Sequence, residues 1–218
     1  ITSGLYIDAQ DVQPAHIFFN GEFLGTFNIR ESNNKAYGYS GYGIGSDDID
    51  AFEIHSEKPN YEQKAGDREA LDRWIELAEQ LAENADWSTG FAESNPENDA
   101  IWAEILKLVD ITEYANYFAT ALNLGLGDWL NNPNNCKGFR DRRDGKFHFT
   151  LFDVDSATSS SLFSTMMNGG CKTEISDLFR NMIKYHPFQR QFLDTWAVIN
   201  GSVLSEDNVR TAINNFTS

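Results

Sequence analysis

The 218-residue sequence predicts an α+β chain with a β-rich N-terminal part and an α-rich C-terminal part containing an inserted β-hairpin. Three observations predict this. Apolar and aromatic runs broken by Asn20-Gly21 fill the first fifty-odd residues, apolar residues recur at three- and four-residue spacing from residue 67 onward, and a second strand-turn-strand signal centred on Asp144-Gly145 interrupts the helical part. Neither an internal repeat nor a regular βαβ alternation is present, and no stretch reads as a long linker. The expectation is therefore one domain over residues 1–218, with a front portion over about 1–85 that includes one helix and a helical back portion over about 86–218.

Taken in order, residues 15–29 are two β-prone runs joined by Asn20-Gly21, a pair suited to the positive φ angles of a type I′ turn. The glycine-rich segment 37–45 reads as a loop, and residues 50–54 as a third short strand, so the front is expected to be sheet. Leu71, Trp74, Ile75, Ala78, Leu81 and Ala82 then mark a helix, with Asp67 as its N-cap and an end near Ala85. Residues 100–109 and 111–124 give two more helical patterns, the second capped by Asp110 and stopped by Gly125 and Gly127. Residues 135–141 and 146–152 are strands flanking the turn Arg142-Arg143-Asp144-Gly145. Beyond a serine-rich loop at 156–161, helices are expected over about 174–184, 187–199 and 205–216, with Pro187 opening the middle one. The spacing of Phe179, Met182 and Ile183, and of Phe188, Phe192 and Trp196, marks core-facing stripes.

Composition excludes several classes of function. With 17 basic against 33 acidic residues and a net charge of −16, the chain lacks the clustered cations that neutralise nucleic-acid phosphates. No run approaches the roughly 18 apolar residues of a membrane span. The opening Ile1-Thr2-Ser3 has no initiator Met and no charged-then-apolar leader, so a piece of a longer protein is expected. Cys136 and Cys171 would permit one disulfide but form no framework, and an unpaired or merely structural role is the better reading. His16, His55, His148 and His186 match no metal-ligand spacing.

Chemistry concentrates between residues 126 and 155. Asp128 lies just past a helix end, Asn134 and Asn135 follow a short loop, and the hairpin returns the chain to Asp153 and Asp155. Because a hairpin brings its ends together, Asn134 and Asn135 should approach Asp153 at one mouth, an oxygen-rich cluster suited to Mg²⁺ or Mn²⁺. Asp153 and Asp155, two apart, point to one face in extended geometry. Aspartate at a strand end often only caps a turn; it is the whole constellation that favours a cation site. Phosphoryl transfer uses such a set: one Asp takes or orients the acceptor hydroxyl proton, while an Asn and a second Asp hold the metals. In the kinase pattern the Asn follows the base by about five residues. Here Asn134 and Asn135 follow Asp128 by six and seven.

Four blocks then resemble, in order, those of the CotH kinase family, secreted or spore-surface atypical protein kinases: residues 20–31, Asp128 with Asn134-Asn135, residues 146–155 and residues 178–192. The resemblance covers the chain from about residue 10 to the C-terminus. It implies a divergent protein-kinase-like fold, ATP with Mg²⁺ or Mn²⁺, phosphate transfer to Ser/Thr of a protein acceptor, and an extracellular, cell-surface or periplasmic location. Asp128 matches the family's catalytic Asp, although Leu126 replaces the usual preceding Asn. Asp153 matches the metal-binding Asp, Asp155 the second acidic residue of that block, and Asn134 or Asn135 the metal-side Asn. The loop after Asp128 is two residues longer than usual, and Phe152-Asp-Val-Asp155 stands where typical members have Trp-Asp-Leu-Asp.

The front sheet should supply the groups that grip phosphate. Arg30 and Glu31, at a strand end within a family block, and the nearby Lys35 and Lys64 are the candidates. The glycine-rich segment 38–45 lacks the Lys-Ser/Thr of a phosphate cradle and reads better as a surface loop. The serines of 156–161 follow the metal block where a regulatory loop would lie, so self-phosphorylation there is an expectation. Two rivals remain at this stage: a non-catalytic surface module with a structural Ca²⁺ site, and a nucleotide-sugar glycosyltransferase, which the missing βαβ alternation disfavours.

Overall fold

A computed structural model describes residues 5–54, 61–129, 135–154, 161–171 and 173–217. In chain order the elements are β1 (Asp8–Ala9), β2 (Val12–Phe19), β3 (Glu22–Arg30), α1 (Lys35–Tyr42), β4 (Ile49–Ile54), β5 (Glu62–Ala65), α2 (Glu69–Glu83), α3 (Pro96–Leu108), α4 (Ile111–Leu124), β6 (Cys136–Asp141), β7 (Phe147–Leu151), α5 (Leu162–Met167), α6 (Glu174–Met182), α7 (His186–Gly201) and α8 (Glu206–Thr217). The fold is mixed α+β, as its sequence pattern predicts. No helix among the described residues is long and apolar enough to cross a membrane.

β2 and β3 form a ribbon of their own, joined by Asn20 and Gly21 at φ 50° and 86°, the positive values a type I′ turn requires. Apart from Ala15 and Gly25, every residue of the two strands is exposed. The other five strands form one sheet in the order β1-β7-β6-β4-β5, parallel only between β1 and β7. The hairpin β6–β7 is therefore not an appendage of the helical part. It pairs with β4, so front and back portions share one sheet.

Period-two alternation gives that sheet two faces. Phe52, Ile54, Cys136, Phe147, Phe149 and Leu151 join the main core with Trp74 of α2, Tyr114 and Phe118 of α4, and Phe179 of α6. On the opposite face Ile49, Ala51 and Phe139 pack with Tyr37 of α1 and with Ile44. Gly138 is required where the strands meet, because a Cβ there would lie 2.6 Å from Phe52 Cζ and 2.8 Å from the His148 carbonyl oxygen.

Several expectations need correction. The segment 37–45 is not a loop: most of it is α1, N-capped by Asn34, whose side chain accepts from the Ala36 amide at 2.8 Å, and ended by Gly43 at φ 65°. Its glycines conceal a helix because Gly38 lets the backbone lie against Ile49 of β4, while the rings of Tyr37 and Tyr42 pack on Phe139. The front is thus not all sheet. Arg68, not Asp67, occupies the N-cap position of α2, although the Asp67 carboxylate still accepts from the Glu69 amide at 3.0 Å. β1, β5 and α5 carry no strong periodicity and had no sequence signal.

Candidate active site

The site is assembled around α4 and the β6–β7 hairpin. Asp110 starts α4 by accepting from the amides of Thr112 and Glu113, and Gly125 stops it in the left-handed conformation at φ 61°. The chain then turns tightly, with the Trp129 amide donating to the Leu126 carbonyl at 3.1 Å, and Asp128 lies inside this turn. The Asp128 Oδ1 atom is buried and has no hydrogen-bond partner among the described residues. A buried carboxylate oxygen left unpaired is costly, and such orphans in a folded chain call for a ligand or a function.

Trp129 and Cys136, on either side of residues 130–134, both meet one side chain. Trp129 Nε1 donates to the Tyr117 hydroxyl at 2.8 Å, and that hydroxyl lies 3.7 Å from Cys136 Sγ. Burial pushes the Cys136 thiol up to about 12, so it stays neutral. Asn135, just ahead of Cys136, is buried. β6 and β7 pair with Lys137 opposite Thr150. Asn135 lies one residue before β6 and Asp153 two residues after β7, at the open end of the hairpin, and Asp128 precedes them in the turn after α4. Asn134, Asp155 and the run 156–160 lie outside the described residues.

Asp153 has φ 52°. A left-handed backbone at a non-glycine residue is a strain of about 1 kcal/mol, and residues held this way concentrate at functional sites. Its Oδ1 is 4.0 Å from Arg30 Nη1 at the end of β3, so the base of the exposed ribbon meets the hairpin mouth. Arg30 is the one phosphate candidate brought to Asp153. Glu31 instead closes the base of the ribbon, accepting from the Asp11 amide at 3.2 Å, and Lys35 sits exposed in the first turn of α1. Lys64 lies on β5, where its hydrogen bonds to the carboxylates of Glu62 and Glu53 hold its ammonium above the usual lysine range.

The sequence reading missed Glu53 and Lys137. Glu53 Oε1 accepts from Lys137 Nζ at 2.8 Å, its Oε2 lies 2.9 Å from Lys64 Nζ, and Lys137 Nζ stands 3.9 Å from the centre of the Phe152 ring. One available signal was Glu53 itself, a carboxylate inside the apolar run Ala-Phe-Glu-Ile; a charge there needs a partner. Among the described residues no three His, Cys, Asp or Glu side chains gather as a metal-holding group. The donors that the turn and the hairpin mouth do offer, Asp128, Asp153 and Asn135, are hard oxygens, which fit Mg²⁺ or Mn²⁺ better than a thiophilic metal.

A mixed sheet backed by helices, here in an α+β chain, is consistent with a kinase-like domain. The family model for the CotH kinase protein matches residues 1–218, the whole chain, and the chain belongs to the CotH kinase family. No curated protein matches it. Membership in a kinase-like family implies, in general terms, a nucleotide, a divalent metal and a protein substrate.

Proposed function

We propose that the chain transfers the γ-phosphate of ATP to Ser/Thr hydroxyls of a protein acceptor. The observation that carries this reading is the buried Asp128 Oδ1 in the turn after α4, which has no hydrogen-bond partner among the described residues. In this reading the acceptor oxygen bonds to the γ-phosphorus, the bond from that phosphorus to the β–γ bridging oxygen breaks, ADP leaves, and the hydroxyl proton passes to Asp128. Asp153 and Asn135 would hold Mg²⁺ or Mn²⁺, with Asp155 and Asn134 as further donors. A bound metal supplies charge neutralisation at the phosphate oxygens. Arg30, beside Asp153, is the favoured phosphate contact, with Lys64 further along the sheet.

The whole of 1–218 acts as one domain in this account, since β4 and the β6–β7 hairpin share a sheet. The family suggests an extracellular, cell-surface or periplasmic setting, which fractionation of the source cells would test. The sheet gives no support to a nucleotide-sugar transferase, having one parallel pairing among the described strands.

Transfer of labelled phosphate from ATP to a panel of protein acceptors tests the proposal. Asp128→Ala and Asp153→Ala should each reduce transfer to background while thermal unfolding stays nearly unchanged. Undiminished activity in either variant removes the role assigned to that residue, and binding of Ca²⁺ without nucleotide by calorimetry would favour a non-catalytic module.

A further inference from the structure

On the α1 face of the sheet, a row of charges leads to Asp153. Lys64 and Lys137 share the carboxylate of Glu53, at 2.9 and 2.8 Å, and the Lys137 side chain is nine-tenths buried. Its ammonium lies on the Phe152 ring, and Phe152 is the residue before the left-handed Asp153. Among the described residues no hydrogen bond holds Asp153 in this conformation. A ring held from one side by a fixed cation would fix the direction in which the chain leaves β7.

We propose that Lys137, anchored by Glu53, is a positioning residue: its ammonium pins the Phe152 ring and thereby holds the Asp153 carboxylate toward the hairpin mouth. The inference rests on the reading of Asp153 as a metal ligand. A buried cation–π contact can contribute about 2 kcal/mol, whereas an exposed one contributes well under half of that. The Lys137 contact is desolvated on the lysine side.

Charge and position make opposite predictions here. A lysine close to a metal site repels the ion, so if charge alone mattered, Lys137→Met would tighten Mn²⁺ binding. If Lys137 positions Asp153, the same isosteric change should weaken Mn²⁺ binding about 5- to 30-fold, the loss expected of 1–2 kcal/mol. Lys137→Arg, which keeps a cation able to stack on a ring, should retain most of the affinity, and Phe152→Leu should reproduce the loss.

The experiment is calorimetric titration of Mn²⁺ into the full chain and its Lys137→Met, Lys137→Arg, Phe152→Leu and Asp153→Asn variants, with circular dichroism to confirm folding. Weaker binding in Lys137→Met and Phe152→Leu, with near-normal binding in Lys137→Arg, supports the proposal. Normal or tighter binding in Lys137→Met overturns it, provided Asp153→Asn abolishes binding. If the unaltered chain binds no Mn²⁺, or Asp153→Asn binds as well as it does, the underlying reading of Asp153 fails instead. Should Lys137→Met fail to fold, Phe152→Leu decides alone.

Discussion

Tyr117 shows how one side chain can govern a distant aspartate. Its hydroxyl receives the indole N–H of Trp129, the neighbour of Asp128, and reaches the thiol of Cys136, the neighbour of Asn135. Tyr117→Phe leaves the buried Trp129 donor without an acceptor, which should cost about 1–3 kcal/mol in urea unfolding. It also frees both ends of the loop between Asp128 and Asn135. Displacing a reacting group by about 1 Å can lower a rate on the order of 100-fold, so phosphate transfer should fall further than the stability loss accounts for. A transfer rate unchanged at a temperature where the variant is folded would mean that Tyr117 supports the core alone. At this scale the sequence singled out the aspartates and asparagines as candidates through their spacing. It concealed Tyr117, Glu53 and Lys137, whose significance comes from partners 11 to 84 positions away in the chain.

At the scale of elements, α4 is tied to β7 by Glu113 in its first turn, whose carboxylate meets His148 Nδ1 at 2.8 Å in a setting that leaves neither side chain more than 15% exposed. Burial alone would pull His148 down, but the hydrogen bond and charge of Glu113 outweigh it, leaving the imidazole above its usual value of 6.5. Burial raises Glu113 as well, more than His148 lowers it. Both groups therefore bind protons more tightly in the folded chain than in the unfolded one. Each contribution is fully present below that group's own unfolded value, about 4.5 for Glu113 and 6.5 for His148, and is lost as pH rises through its folded one, so the pH 6 to 9 range reads the histidine's share. Urea midpoints measured from pH 6 to 9 should fall with rising pH, and Glu113→Gln should flatten that slope; a rising midpoint would show that other groups dominate. The same elements show what a periodic pattern can and cannot reveal. α4 and the two hairpin turns were legible because Asp110, Gly125, Asn20-Gly21 and Asp144-Gly145 each impose a local conformation. α1 was not, since Asn34 and Gly43 bracket a run whose helix depends on packing against β4 and Phe139. The central place of β6–β7 was not either, because pairing with β4 is a contact across more than eighty residues.

At the scale of the whole molecule, a net charge of −16 on 218 residues repels itself in the compact state. Some of that charge is engaged locally, as where Asp50 accepts from Arg140 at 3.0 Å and Asp67 from Arg142 at 2.5 Å. The acidic excess is almost twofold, so screening should help more than it harms. Raising NaCl from 0.01 to 0.3 M shortens the Debye length from about 30 Å to under 10 Å, and Tm by calorimetry should rise by roughly 2–4 °C for each 1 kcal/mol of repulsion relieved. A fall in Tm would show that the ion-pair networks outweigh the excess. The central claim concerns convergence: Asp128, Asn135 and Asp153 must serve one nucleotide-bound cation. Paramagnetic broadening of amide resonances by substoichiometric Mn²⁺ with ATP reads this directly. The account predicts that the amides of Asp128, Asn135, Lys137 and Asp153 broaden together, while that of Arg190 on α7 stays sharp. Broadening at only one of the three donor segments, or at none, would contradict it.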